Sequence, residues 1–150
     1  MRIDNQMCLE FASLPENIAL SRVVVASFAA QLDFTLNDLE EIKVAASEAV
    51  SNAIIHGYQN RPDRLVRLRA TRKGRTLELS VEDDGVGIAD IELATKPSYS
   101  TDPERMGLGF AFMKSFMDRV EVKSEVDKGT TVTMTKTASL AAAKHVDKLC

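Results

Sequence analysis

A chain of 150 residues suits one domain with its own core, and a 45% hydrophobic content is ordinary for a soluble globular protein. Nineteen Lys and Arg against 22 Asp and Glu leave a net charge of -3, which argues against a nucleic-acid binder that works through bulk positive charge. Cys8 and Cys150 lie near opposite ends without metal-ligand spacing, and there is neither a signal peptide nor an apolar run of membrane-span length, so a cytoplasmic protein without a disulfide framework is expected.

Over residues 6–14, Met7, Leu9 and Phe11 alternate with Cys8, Glu10 and Ala12, the pattern of a strand with one buried face. Pro15 and Glu16 then open a helix that continues to about Asp33. Val23, Val24, Val25 and Phe28 make it apolar around more of its circumference than a single buried face requires. Arg22 sits in that neighbourhood and is a candidate anchor for a protein partner.

Thr35 and Asp38 read as the N-terminal cap of a second helix. In its later part, EIKVAASEAVSNAIIH at residues 41–56, Glu41, Ala45, Glu48, Asn52 and His56 fall along one face beside the apolar Ile42, Ala46, Ala49, Val50, Ala53 and Ile54. A carboxylate and a carboxamide one turn apart need something to answer them, because burying both unpaired costs several kcal/mol. A hydrated Mg2+ carrying phosphates is one answer, with the Asn52 amide oxygen as a hard ligand and Glu48 taking a proton from an attacking hydroxyl. The alternative for an isolated ExxxN is a solvated stripe. His56 reads as a helix-end residue whose ring the backbone satisfies, and it stays outside the candidate set.

Gly57 and the polar segment after it end that helix. Residues 65–71 and 76–82 alternate around a Lys73-Gly74 turn, which predicts an antiparallel hairpin with its arginines on the solvent side. The second strand runs into DDGVGI at residues 83–88. Residues 89–106, with Pro97, Pro103 and a Ser/Thr/Asp cluster, are too long and broken for an ordinary connection and read as a lid. GLGF at residues 107–110 opens a helix to about Met117. Residues 119–126 and 130–137 make a closing hairpin, with Val120, Val122, Val126, Val132 and Met134 inward, and residues 138–150 form a tail. This order predicts an α/β two-layer sandwich, its sheet solvated on one face and covered by helices on the other.

Asp83 is delivered by a strand, Gly85 and Gly87 let the backbone approach a ligand, and a second glycine pair stands at a helix entrance, where free N-H groups suit phosphate. A Rossmann reading fits poorly, since no third Gly follows and no βαβ unit surrounds the motif. EAVSN at 48–52, DDGVG at 83–87, GLGF at 107–110 and GTT at 129–131 together resemble the N, G1, G2 and final Gly-Thr boxes of the GHKL ATPases, in the order of that family. SEAVSNAIIHGY, VEDDGVGI, ERMGLGF and SEVDKGTTV narrow the resemblance to the small bacterial anti-sigma factor serine kinases, the sporulation type most closely.

The resemblance implies a Bergerat fold: a mixed, mostly antiparallel sheet covered on one face by helices, with an ATP lid. It implies a single ATP-binding kinase domain over residues 1–137. It assigns Asn52 to Mg2+, Glu48 to the general base, and Asp83 to the exocyclic amine of adenine, with Gly85, Gly87 and the Thr130 hydroxyl completing that end. Gly107, Leu108 and Gly109 would offer backbone donors to the phosphates of ATP, and Arg105 would reach the γ-phosphate from the lid. Where the family has a small residue before GLG, this chain has Met106. Arg22 matches a first-helix arginine that meets protein partners. The implied activity is binding and inhibition of a sigma factor together with phosphorylation of a serine on its anti-anti-sigma antagonist, by a homodimer, with no direct nucleic-acid or membrane partner. Two alternatives remain: a nucleotide-switched protein that sequesters the sigma factor without turnover, which would need Asn52 and Asp83 but no base, and the paralogous stress-response kinase.

Overall fold

Alternation in the strands decides which face of the sheet is covered. The computed structural model describes residues 2–96 and 106–140. Within them β1 (Asn5–Ala12), β2 (Leu65–Lys73), β3 (Thr76–Asp83), β4 (Arg119–Glu125) and β5 (Gly129–Thr137) form one sheet in the order β1-β2-β3-β5-β4. Each of these pairings is antiparallel. Register aligns Leu9, Leu68, Val81, Val132 and Val122 in one row across the sheet and Met7, Ala70, Leu79, Met134 and Val120 in the next. These rows face the core, whereas Cys8, Arg69, Ser80, Thr133 and Glu121 form a polar row on the opposite face.

The core-facing side is covered by α1 (Glu16–Ala29), α2 (Leu36–Asn52) and α4 (Met106–Phe116), with α2 packed against α1 on one flank and α4 on the other. A capping box starts α2: Thr35 Oγ1 accepts from Asp38 N at 3.0 Å, and the Asp38 carboxylate accepts from Thr35 N at 3.1 Å. Ile42, Ala46, Ala49 and Val50 enter the core as the apolar spacing predicts, and Ala45 joins them instead of the polar stripe. The arrangement is the two-layer sandwich expected from the sequence.

Three local features depart from the sequence reading. The central helix does not run as one α-helix to His56: α2 stops at Asn52, and Ala53–Gly57 form a π-helical turn closed by Tyr58 N donating to Ala53 O at 2.9 Å. Val126 is 51% exposed, because β4 ends at Glu125 and Val126 falls in the turn. The lid region begins with a short helix, α3 (Ile91–Ala94), capped by Asp90 Oδ1 accepting from Leu93 N at 3.1 Å. Residues 97–105 of the expected lid, Arg105 among them, lie outside the described residues, as does Cys150. Cys8 is free and exposed. At the end of β5, Ala138 is buried and its N-H donates to Arg75 O at 2.8 Å.

Candidate active site

The π-helical turn, the end of β3 and the first turn of α4 converge on one cleft. Its empty volume is about 370 Å3, and its polar lining consists of Asn52, His56, Asp83 and Thr130. Ala53, Val81, Ile88, Met106, Phe110 and Val132 make the rest of the wall largely apolar, and Gly87 borders it.

Asp83 is the deepest polar group, only 5% exposed. Burial pushes its carboxyl up from 3.8 to about 6, and the neighbouring charge of Asp84 adds to that. Backbone N-H groups of Gly85 and Thr130 and the charge of Arg67 act in the other direction. Gly85 N donates to Asp83 Oδ1 at 2.9 Å, which turns the second oxygen toward other donors. Close backbone approach builds this end. A Cβ on Gly57 would lie 2.7 Å from the Asp83 carboxylate, and Gly57 O accepts from Val86 N at 2.9 Å. Gly87, at φ +73°, passes so near Glu125 O that a Cβ would sit 2.2 Å from it.

At the other end, Glu48 and Asn52 stand one turn apart on α2, facing the first turn of α4. A Cβ on Gly109 would come within 2.9 Å of Glu48 Oε2 and 3.4 Å of Asn52 Nδ2, so glycine there leaves room for both polar groups. Burial raises the Glu48 carboxyl above the usual carboxylate value. Asn52 Nδ2 is buried and has no hydrogen-bond partner. A carboxamide nitrogen left in this condition costs about 1–3 kcal/mol, which an acceptor such as a phosphate oxygen would offset. The donor set fits Mg2+ carrying phosphates: a carboxamide oxygen is a hard ligand, a carboxylate is adjacent, and such an ion takes its remaining ligands from water and phosphate. Gly107 and Leu108 lie with Gly109 in the first turn of α4.

The structure therefore brings together Asn52, Asp83, Gly87 and Thr130 around the cleft, with Glu48, Gly85 and Gly109 in contact with those groups. Arg22 is elsewhere, exposed on α1 beside a shallow groove lined by Ala19, Val23, Ala26 and Lys43.

Sequence reasoning missed several supporting residues. Tyr58 Oη donates to Leu65 O at 2.5 Å and accepts from Asp84 N at 2.8 Å, tying the helix end to the segment that carries Asp83. Its only sequence signal is an aromatic directly after Gly57. Ser124 Oγ accepts from Ile88 N at 2.7 Å and lies 2.8 Å from Thr130 Oγ1, so it fixes both a wall of the cleft and the Thr130 hydroxyl. That role follows from strand register, which places Ser124 opposite Thr130. The Arg67 guanidinium grips Glu82 and both oxygens of Asp84, the latter at 3.0 and 2.8 Å, and holds the Asp84 carboxyl below its ordinary value. His56 needs a correction: its Nε2 is buried in the cleft without a hydrogen-bond partner, so the backbone does not satisfy the ring.

Residues 11–136 match the histidine kinase-like ATPase domain family. The chain is 51% identical over 134 residues to an anti-sigma F factor of Geobacillus kaustophilus, covering 88% of this chain and 92% of that protein. It is 49% identical over 135 residues to an anti-sigma F factor of Clostridium kluyveri, covering 89% and 94%. Its backbone is similar to that of the RsbU and RsbW domains of a Mycobacterium tuberculosis protein, with a TM-score of 0.65 over 89% of this chain and 32% of that one. At 20% identity, that likeness concerns the fold alone.

Proposed function

The chain belongs to the histidine kinase-like ATPase domain family and, within it, to the anti-sigma F factors, and from that premise we propose that it holds sporulation sigma factor F inactive and uses ATP to phosphorylate a serine on the anti-anti-sigma antagonist. The observation that carries the kinase activity is the placement of Glu48. A protein that only sequestered its partner would need groups that bind nucleotide, but no desolvated carboxylate one turn from the metal ligand.

Bound ATP and Mg2+ supply the phosphoryl group and most of the charge neutralisation it needs. The chain's own residues position and move a proton. The Asp83 carboxylate accepts from the exocyclic amine of adenine, at the buried end of the cleft. Gly85, Gly87 and the Thr130 hydroxyl shape that end. Asn52 Oδ1 would hold the metal. Backbone N-H groups of Gly107, Leu108 and Gly109 face the phosphates with the favourable end of the α4 dipole. Glu48 Oε2 takes the proton of the incoming serine hydroxyl, and the burial that raises its carboxyl brings it nearer the neutral range in which a general base is most effective. Arg105 belongs to this set on the resemblance of ERMGLGF, as the guanidinium that steadies the γ-phosphate.

Protein partners meet α1. Arg22 there borders a groove lined by Ala19, Val23, 68% exposed, and Ala26, a small apolar surface that Arg22 and Lys43 edge with positive charge. The homodimer uses the same helix with β1, which lies at the sheet edge. The kinase domain spans residues 1–137. Among the described residues no helix is long and apolar enough to cross a membrane; a cytoplasmic site of action follows from the sigma-factor partner. The test is a pulldown from the native host, first with ATP and then with ADP, followed by mass spectrometry. A sigma factor and a small antagonist bearing a new phosphoserine are expected. A bound sigma factor without any phosphoserine would leave only the sequestering activity.

A further inference from the structure

Asp83 stands where the sheet releases β3 on one side. The β2–β3 ladder ends at the pair of Arg67 and Glu82, whereas the β3–β5 ladder runs one residue further, to Asp83 opposite Thr130. Asp83 therefore has a strand partner toward β5 and none toward β2. Asp84 follows beyond the end of the strand, and then a glycine-containing turn in which Gly87 takes φ +73°. A carboxylate that has to meet a ligand amine in one direction is poorly served by a backbone free to swing at that point.

Two side chains replace the missing ladder. Tyr58 Oη accepts from Asp84 N at 2.8 Å. Arg67 reaches past the last pair: its Nη1 donates to Asp84 Oδ2 at 3.0 Å, its Nη2 to Asp84 Oδ1 at 2.8 Å and its Nε to Glu82 Oε1 at 2.7 Å. One guanidinium thus grips the residues on both sides of Asp83, and it does so from the sheet face opposite the cleft, since Arg67 and Glu82 alternate with the core-facing Leu68 and Val81. An exposed ion pair contributes little by itself. Here the contact is a planar fork on two carboxylates, and the Arg67 side chain is only 19% exposed although that of Asp84 is 64% exposed. Such a clamp fixes direction. Its charge also opposes the effect of Asp84 on the Asp83 carboxyl.

We propose that Arg67 is a positioning residue for adenine recognition: by clamping Glu82 and Asp84, it aims the Asp83 carboxylate at the 6-amino group. This rests on the nucleotide reading of the cleft, so the test separates the two. Calorimetry at pH 8, above the value of about 6 to which burial pushes Asp83, keeps that carboxylate ionised. It compares ATP with the same triphosphate carrying hydrogen in place of the 6-amino group. The proteins are the parent, Arg67→Gln, Asp84→Ala, the variant with both changes, and Asp83→Asn. Arg67→Gln is expected to weaken ATP about threefold to tenfold, part of what a hydrogen bond to a charged group is worth, and to leave the analogue unchanged. Asp84→Ala, which removes the other half of the clamp at an exposed side chain, should do the same, and the two changes together should cost no more than one. A loss shared equally by both nucleotides, no loss in either, or additive losses in the double variant would overturn the inference alone while Asp83→Asn still erases the preference for ATP over the analogue. If Asp83→Asn leaves that preference intact, the adenine assignment falls and this inference with it.

Discussion

Asp83→Asn should stabilise the nucleotide-free protein while impairing its function. Burial pushes the Asp83 carboxyl from 3.8 to about 6, so between those values the folded chain keeps a proton that the unfolded chain has released. Stability therefore falls as pH rises through this window, and above it the full cost of the buried charge is carried. Each pH unit is worth about 1.4 kcal/mol, which makes the cost at pH 7 roughly 3 kcal/mol. Asn has the same shape and no charge, but its NH2 group faces an N-H where the carboxylate accepted from Gly85 and Thr130, a loss of about 1–2 kcal/mol. The variant should be more stable than the parent by about 1–2 kcal/mol at pH 7, with the advantage gone by pH 4. Urea unfolding of both proteins at pH 4, 5, 6 and 7 measures this difference directly, because other titrating groups cancel. ATP affinity, measured by calorimetry, should fall about tenfold to a hundredfold for the lost acceptor. Parallel stability curves across the whole range would refute the placement of a costly charge at Asp83.

Gly109→Ala puts a methyl 2.9 Å from Glu48 Oε2, the end of a flexible side chain, so the fold should survive while the displaced carboxylate slows phosphoryl transfer about tenfold to a hundredfold, read by melting temperature and transfer rate together. Tyr58→Phe strips Leu65 O and Asp84 N of their shared partner and should cost about 1–2 kcal/mol in urea unfolding, with weaker ATP binding because the Asp83 segment loses its tie to the helix end. Arg22→Glu should weaken sigma-factor capture about tenfold or more in a binding titration and leave nucleotide affinity unchanged, since α1 lies apart from the cleft.

The parts of this fold that were legible in the sequence are those with a short-range physical cause. Thr35 and Asp38 announce a capping box three residues apart, and the alternation of Leu77, Leu79 and Val81 already selects the buried face that the register then aligns with Met134 and Val132. The ends of the site were legible for the same reason: DDGVG states its geometry locally, and Glu48 and Asn52 share a face by spacing alone. Long-range contacts stayed hidden. Nothing near Ser124 says that its hydroxyl will hold Ile88, 36 residues earlier, and nothing near Tyr58 says that its phenol will reach both Leu65 and Asp84. The π-helical turn escaped because its cause is tertiary: the wider turn seats Gly57 against Asp83 and Val86, residues some 26 to 29 positions away. His56 was set aside because its place at a helix end suggested that the backbone would satisfy its ring, whereas its buried Nε2 has no hydrogen-bond partner.

The central claim is that Glu48 takes the serine proton, and one measurement addresses it most directly: the rate of phosphate transfer from ATP to the antagonist protein by the parent and by Glu48→Gln, with ATP and sigma-factor affinities determined alongside. Gln keeps the shape and hydrogen bonding of Glu but cannot accept the proton, so both affinities should hold while transfer falls about a hundredfold to ten-thousandfold. Transfer at the parent rate by Glu48→Gln would contradict the account.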